Sequence, residues 1–178
     1  MTRRFSRILP QTAIALTVAT FMVAVSACSG KNKSAGDSDS IPATPQQILT
    51  EPARFDARTL DDYAAAIREG NERFDDTAMA RMAMLCQASI DRLGNIVDNL
   101  VANDDPADSH NTLNELGSAT WVRDTSLLLH YLRSNAHDQD LINRIGQLSS
   151  SCVHINATIG DIYRNQFGGK ELDIVFPQ

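Results

Sequence analysis

Apolar residues recur every three or four positions through most of the chain from about Thr59 onward, the spacing that places them on one face of an α-helix. The most regular stripe predicts a helix that Asp138 caps and that ends near Phe167. Glycines commonly follow a helix C-terminus, and Gly168-Gly169 stands at this end. The apolar positions of this helix are Ile145, Leu148, Cys152, Ile155, Ile159 and Ile162.

A second stripe predicts a long helix that begins at Asp75-Asp76 and ends near Val101. Carboxylates at a helix start face the positive end of the helix dipole, so we interpret the two aspartates as a cap rather than an acid–base pair. Methionine at helical spacing is usually core, and we do not interpret it as a metal ligand here. The predicted core positions are Met79, Met82, Cys86, Ile90, Leu93, Val97 and Leu100.

A third long helix is predicted from about Thr112 to Ser134, with Gly117-Ser118 as a candidate break. Trp121 lies beside its apolar face, and a core or half-buried position suits the one tryptophan of the chain. The acidic segment 103–111 before this helix is predicted to be a solvated loop.

Two shorter helices are predicted nearer the N-terminus. Thr59 with Asp62 three residues later resembles a capping box, and the helix that it opens is expected to end near Phe74. Thr44-Pro45 is typical of a helix start and predicts a short helical turn through Leu49.

These patterns together predict an all-α fold. We expect an up-down helical bundle of three long and one or two shorter helices, forming a single domain over residues 48–178. Leu172, Ile174 and Phe176 alternate with polar positions after the last helix, which predicts a short extended C-terminal tail. Such a tail packs across its own bundle or adds to the sheet edge of a partner.

The N-terminal segment has the organisation of an export signal. Arg3, Arg4 and Arg7 precede an uncharged stretch over residues 13–27, which is too short to span a membrane comfortably. The stretch ends in Val25-Ser26-Ala27-Cys28, which resembles the lipobox of bacterial lipoproteins. The resemblance implies that residues 1–27 are a signal peptide and that Cys28 becomes the lipidated N-terminus.

The same resemblance implies a place in the cell envelope. In lipoproteins of bacteria with two membranes, an aspartate after the lipidated cysteine favours the inner membrane, and this chain has Ser29 there. The resemblance therefore implies an outer membrane lipoprotein with a membrane contact through the lipid on Cys28. Residues 28–47 are rich in polar and small side chains and contain Pro42 and Pro45, so we predict a flexible tether.

Charge narrows the range of partners. Because the three arginines before Cys28 are the only charged residues there, residues 28–178 carry 13 basic and 22 acidic side chains, a formal net charge of −9. An acidic domain is a poor ligand for nucleic acid, so we expect none among its partners.

Cys86 and Cys152 are the two cysteines that remain beside Cys28. Each lies ten to fifteen residues into its predicted helix, and their heights differ by about 6 Å if the two helices run parallel. An even pair of cysteines in an oxidising compartment commonly forms a disulfide, which we predict here. The alternative is a pair of buried free thiols.

The chain contains no catalytic motif with adequate spacing, and we expect neither an enzyme nor a cofactor. The favoured hypothesis is a non-catalytic module that binds, scaffolds or inhibits another envelope protein. The alternative is a carrier of a small ligand, metal or haem inside the bundle, with His154 as one candidate ligand.

Overall fold

The protein is described here by a computed structural model, which covers residues 43–70, 72–103 and 105–168. These residues form helices joined by short connections, and no β-strand occurs among them, so the predicted all-α class is confirmed. The predicted signal peptide, Cys28, residues 29–42 of the predicted tether and the predicted C-terminal tail lie outside the described residues. The helices are α1 (Pro45–Leu49), α2 (Ala57–Glu69), α3 (Asp76–Ala102), α4 (Pro106–Ser118), α5 (Thr120–Asn135) and α6 (Gln139–Phe167).

The ends of α1, α3 and α6 lie where the capping residues predict them. Asp75 accepts a hydrogen bond from the backbone N–H of Ala78 at 2.8 Å, and Asp138 accepts one from Leu141 at 3.0 Å. Thr44 opens α1 with a reciprocal capping box, so residues 45–47 at the end of the predicted tether are already helical. These local bonds satisfy backbone donors that have no partner within the helix.

Helix α2 begins earlier and ends earlier than predicted. Asp56, not Thr59, is the N-cap, and its carboxylate accepts from the backbone N–H groups of Arg58 and Thr59 at 3.0 and 3.3 Å. The helix ends at Gly70, whose φ of 67° is the left-handed conformation that glycine adopts without a steric penalty. Phe74 therefore lies beyond the helix, and its backbone N–H donates to the Tyr131 hydroxyl at 3.4 Å.

The predicted loop over residues 103–111 is wrong from Pro106 onward, where the chain is already helical, and the candidate break at Gly117-Ser118 in the third helix is confirmed. Asp105 caps α4, and Pro106 occupies the first helical position, where a missing N–H costs nothing. The chain leaves helical geometry at Ala119, directly after the predicted break at Gly117-Ser118, so the third helix is in fact two helices, α4 and α5. The Asp-Pro pair was a helix start signal that the acidic composition of the segment obscured.

Helix α3 lies at the centre of the packing, with α1, α2, α5 and α6 against it. It shares one continuous core with them, and the small side chains of Ala80, Ala83 and Ser89 on α3 are fully buried. Helices α3 and α6 begin side by side, because the backbone N–H of His137 donates to Asp76 at 3.3 Å. Further along, Ile90 and Ile155 line the same groove, so the two helices run in the same direction.

Candidate functional site

A groove with partly apolar walls lies between α1, the connection 51–56, α2 and α3, and we call it the α1–α3 groove. Its volume is about 600 Å³. Helix α1 is held in place from the other side by α6, since Gln46 donates to Asp138 at 2.6 Å and Arg144 donates to the carbonyl of Leu49 at 3.2 Å. The wall of the groove is thereby fixed by side chains that lie outside it.

The floor of the groove is apolar. Ile48 from α1 and Leu85 from α3 are 5% and 7% exposed, which leaves their edges as the bottom of the groove. Met84, Phe55 and Tyr63 are half-buried and form its sides. When a ligand covers partly exposed apolar side chains of this kind, apolar surface is removed from water and the free energy of the complex is lowered.

Charged side chains stand on the rim of the groove: Glu51, Arg54, Asp56 and Arg81. The carboxylate of Asp56 is occupied by the start of α2, and the hydrogen bond from the Thr59 hydroxyl is the main reason that its pKa is lowered. Arg54 and Arg81 are exposed, and among the described residues neither forms an ion pair. Their guanidinium groups are therefore open to a ligand.

An aromatic contact extends the groove toward α5. The rings of Phe55 and Trp121 meet edge to face with their centroids 5.5 Å apart. The guanidinium of Arg92 lies 4.6 Å from the Phe55 centroid and 5.4 Å from that of Trp121. Trp121 is half-buried, as predicted, and the cation–π contacts hold the exposed Arg92 against both rings.

A second groove lies between α3 and α6, and most of the residues that line it have polar side chains. Asp91, Asn95 and Asp98 from α3 face Ser150 and His154 from α6. Within residues 43–168, as far as they are described, no group of three or more His, Cys, Asp or Glu side chains has the arrangement of a metal site. His154, the candidate ligand, is exposed at the surface. Met79 and Met82 are buried in the core, as the helical spacing predicts.

A buried polar network joins α2, α3 and α5. The side chain of Asp124 is 1% exposed and forms an ion pair with the half-exposed Arg68. Next to it in sequence, the Thr125 hydroxyl lies 2.7 Å from that of Ser89 and donates to the carbonyl of Trp121. Burial raises the pKa of Asp124, and the positive charge of Arg68 opposes that shift.

Cys86 and Cys152 are both buried, and both are free thiols in the structure. The Cys86 thiol lies 4.0 Å from the carbonyl oxygen of Thr125. The pKa of Cys86 is strongly raised, mainly by burial and secondly by the neighbouring Cys152. Burial also raises the pKa of Cys152, to about 12. The structure thus brings the two cysteines together in the core, and the disulfide stays a prediction.

The sequence drew attention to Trp121 and the cysteines but not to the residues of the α1–α3 groove. Arg81 and Arg92 lie three helical turns apart on the same face of α3, a spacing that is visible in the sequence. Arg54 and Phe55 lie in a connection, where periodicity gives no signal.

No protein-family model, curated protein or solved structure matches the chain. None of the helices that the structure describes is long and apolar enough to cross a membrane. The class that the geometry defines is an all-α domain with an open apolar groove and an arginine-bearing rim.

We predict that Arg68→Ala destabilises the protein in a pH-dependent manner. At about pH 7 the change leaves the Asp124 carboxylate buried without its cation. The free energy of unfolding should fall by roughly 2 kcal/mol, less than for a fully buried pair because Arg68 is half-exposed and solvent screens its charge. The raised pKa of Asp124 means that the folded state favours the neutral acid, so the deficit should shrink as the pH falls through that pKa. Urea unfolding followed by circular dichroism at about pH 7 and pH 4 measures it.

The matched control makes the same Arg68→Ala change in an Asp124→Asn background. With no carboxylate at position 124 to ionise, the deficit of Arg68→Ala/Asp124→Asn relative to Asp124→Asn should be the same at both pH values. A deficit of equal size at both pH values in the single variant would contradict the interpretation.

We predict that the two cysteines resist alkylation in the folded, reduced protein. Because the raised pKa values keep both sulfurs protonated at about pH 8, iodoacetamide should label neither until the chain is unfolded. Protein isolated from an oxidising compartment should label neither even after unfolding, unless it is first reduced. Mass spectrometry counts the added groups, and two labelled thiols in the unreduced, unfolded sample would rule out the disulfide.

Proposed function

We propose that the protein is a non-catalytic module that binds another protein of the cell envelope and is anchored to the outer membrane by a lipid on Cys28. The observation that carries the binding role is the α1–α3 groove, with an apolar floor and, on its rim, two arginines that form no ion pair with any described residue. The anchoring role rests on the resemblance of Val25-Ser26-Ala27-Cys28 to a lipobox.

The composition of the groove favours a protein partner. Arginine and large aromatic side chains are enriched among the residues that contribute most to protein–protein binding energy, and this surface combines Arg81, Arg92, Phe55 and Trp121. The groove continues into the contact of Phe55 with Trp121 and Arg92, and this elongated surface suits an extended ligand better than a compact one. Bound protein would cover partly exposed apolar surface without any chemical step.

Support for a carrier of a small ligand or metal is weaker. Its candidate ligand His154 is exposed beside polar groups, and the core stripe of α6 consists of aliphatic side chains and Cys152. Among the described residues that line the groove there is no cysteine, serine or histidine, and no catalytic role is proposed.

We predict that Cys28→Ser abolishes lipid attachment. Without a thiol at that position there is no acceptor for the lipid, and stable anchoring requires more than one hydrophobic chain. Metabolic labelling with an alkyne-bearing fatty acid should mark the wild-type chain and not the variant. A Cys86→Ser variant is the control and should label normally, and label on Cys28→Ser would contradict the anchoring proposal.

We predict that a photo-crosslinking amino acid at Glu51 captures a discrete partner in living cells. Glu51 is exposed on the rim of the groove, so a bound protein would lie within reach of the probe. The matched control places the same amino acid at Val153, which is 65% exposed on α6 and does not line the groove. Crosslinked products are identified by immunoblotting and mass spectrometry.

A product that forms from both positions would indicate a nonspecific collision. Repeated failure to capture any envelope protein from Glu51 would contradict the proposed function.

A further inference from the structure

We propose that the α1–α3 groove, together with Phe55, Trp121 and Arg92, receives an acidic amphipathic peptide segment of the partner protein. The segment would place apolar side chains on the floor and carboxylates on the arginines. This inference rests on the proposed function and specifies the chemistry of the partner.

The charged side chains around the groove favour an acidic ligand. In a domain with an excess of acids, Arg54, Arg81 and Arg92 lie together around one apolar surface. Asp56 keeps its negative charge, because its pKa is lowered, but its carboxylate already accepts hydrogen bonds at the start of α2. The three arginines outnumber Glu51 and Asp56, the two acids that line the groove.

The guanidinium N–H groups of these arginines are available as hydrogen-bond donors. Neither Arg54 nor Arg81 forms an ion pair among the described residues, so their N–H groups are available. A guanidinium matches a carboxylate with two parallel hydrogen bonds, which are stronger than hydrogen bonds between neutral groups. Arg92 is already held over two rings, so it loses little side-chain freedom when a carboxylate binds.

The distance between Arg81 and Arg92 suits a short peptide segment. Arg81 and Arg92 lie on one face of α3, and eleven residues of helix separate them by about 16 Å. An extended peptide covers that distance with about five residues. A segment of this length, with apolar side chains between its acids, would contact the floor and both arginines at once.

An anionic membrane surface is the other ligand that combines acyl groups with negative charge. The net charge of −9 on residues 28–178 disfavours approach to such a surface, where many charges act together. A short peptide carries few charges, and ionic screening beyond about 8 Å confines its interactions to the groove. The charge distribution therefore favours a peptide.

The experiment is selection of a random 12-residue peptide display library on the purified full chain. We expect the selected peptides to share aspartate or glutamate next to aliphatic or aromatic residues. A selected peptide should bind the Arg54→Gln/Arg81→Gln variant at least about tenfold more weakly, since each substitution removes hydrogen bonds between a guanidinium and a carboxylate of the peptide. Fluorescence anisotropy with the labelled peptide measures the dissociation constants.

The matched control is Arg133→Gln, which removes an exposed arginine from the last turn of α5, away from the groove. It should leave binding within about twofold of the wild type, the ordinary range for a surface change. All variants should retain the wild-type circular dichroism spectrum and melting temperature, because each of the three arginines is exposed.

Three results would overturn the proposal. Selected peptides without acidic residues would remove the charge argument. Arginine-dependent binding to phosphatidylglycerol vesicles, with no selected peptide, would assign the groove to a lipid surface. A dimer in analytical ultracentrifugation that Arg54→Gln/Arg81→Gln dissociates would assign it to a second copy of the chain.

The crosslinking experiment separates failure of this inference from failure of the proposed function. A partner captured from Glu51 while the peptide selection yields no acidic consensus would retain the binding function and reject the acidic segment. If neither experiment finds a ligand, both proposals fail.

Discussion

The packing of four helices around α3 is the constraint on which the rest of the structure depends. Between Met79 and Ile90 this helix is buried over most of its circumference, and close approach of its neighbours requires small side chains such as Ala80 and Ala83. The same packing sets Ser89 against Thr125 and Cys86 near Cys152. It also leaves one stripe of α3, around Arg81 and Met84, as the wall of a groove.

Two polar side chains inside this packing have specific partners on other helices. One oxygen of the Asp124 carboxylate pairs with Arg68 from α2, and the Thr125 hydroxyl contacts Ser89 on α3 and donates to a carbonyl of its own helix. A buried charge without its partner costs several kcal/mol, so α2 cannot shift along α5 without a large loss of stability. Because α2 and the connection before it form one side of the α1–α3 groove, this ion pair also helps to keep the groove in shape.

The domain is acidic overall, and the α1–α3 groove on its surface is an apolar region bordered by arginines. Ala43, which lines the groove, belongs to the predicted tether over residues 28–47, so a ligand would bind beside the N-terminal end of the folded domain. An anchored module with such a site would hold its partner close to the membrane. This arrangement supports the choice of a peptide segment from an envelope protein over a freely diffusing metabolite.

The sequence by itself determined the all-α class, the starts of α3 and α6 and the glycine at the end of α6, because caps and apolar periodicity act within a few residues. It misplaced the start of α2 and missed the first turns of α4, where two competing caps or an acidic composition made the local signal ambiguous. Only the tertiary structure decided the candidate site. Arg54 and Phe55 in a connection meet Arg81 and Arg92 on α3 and Trp121 on α5 through packing between distant segments, which no local pattern encodes.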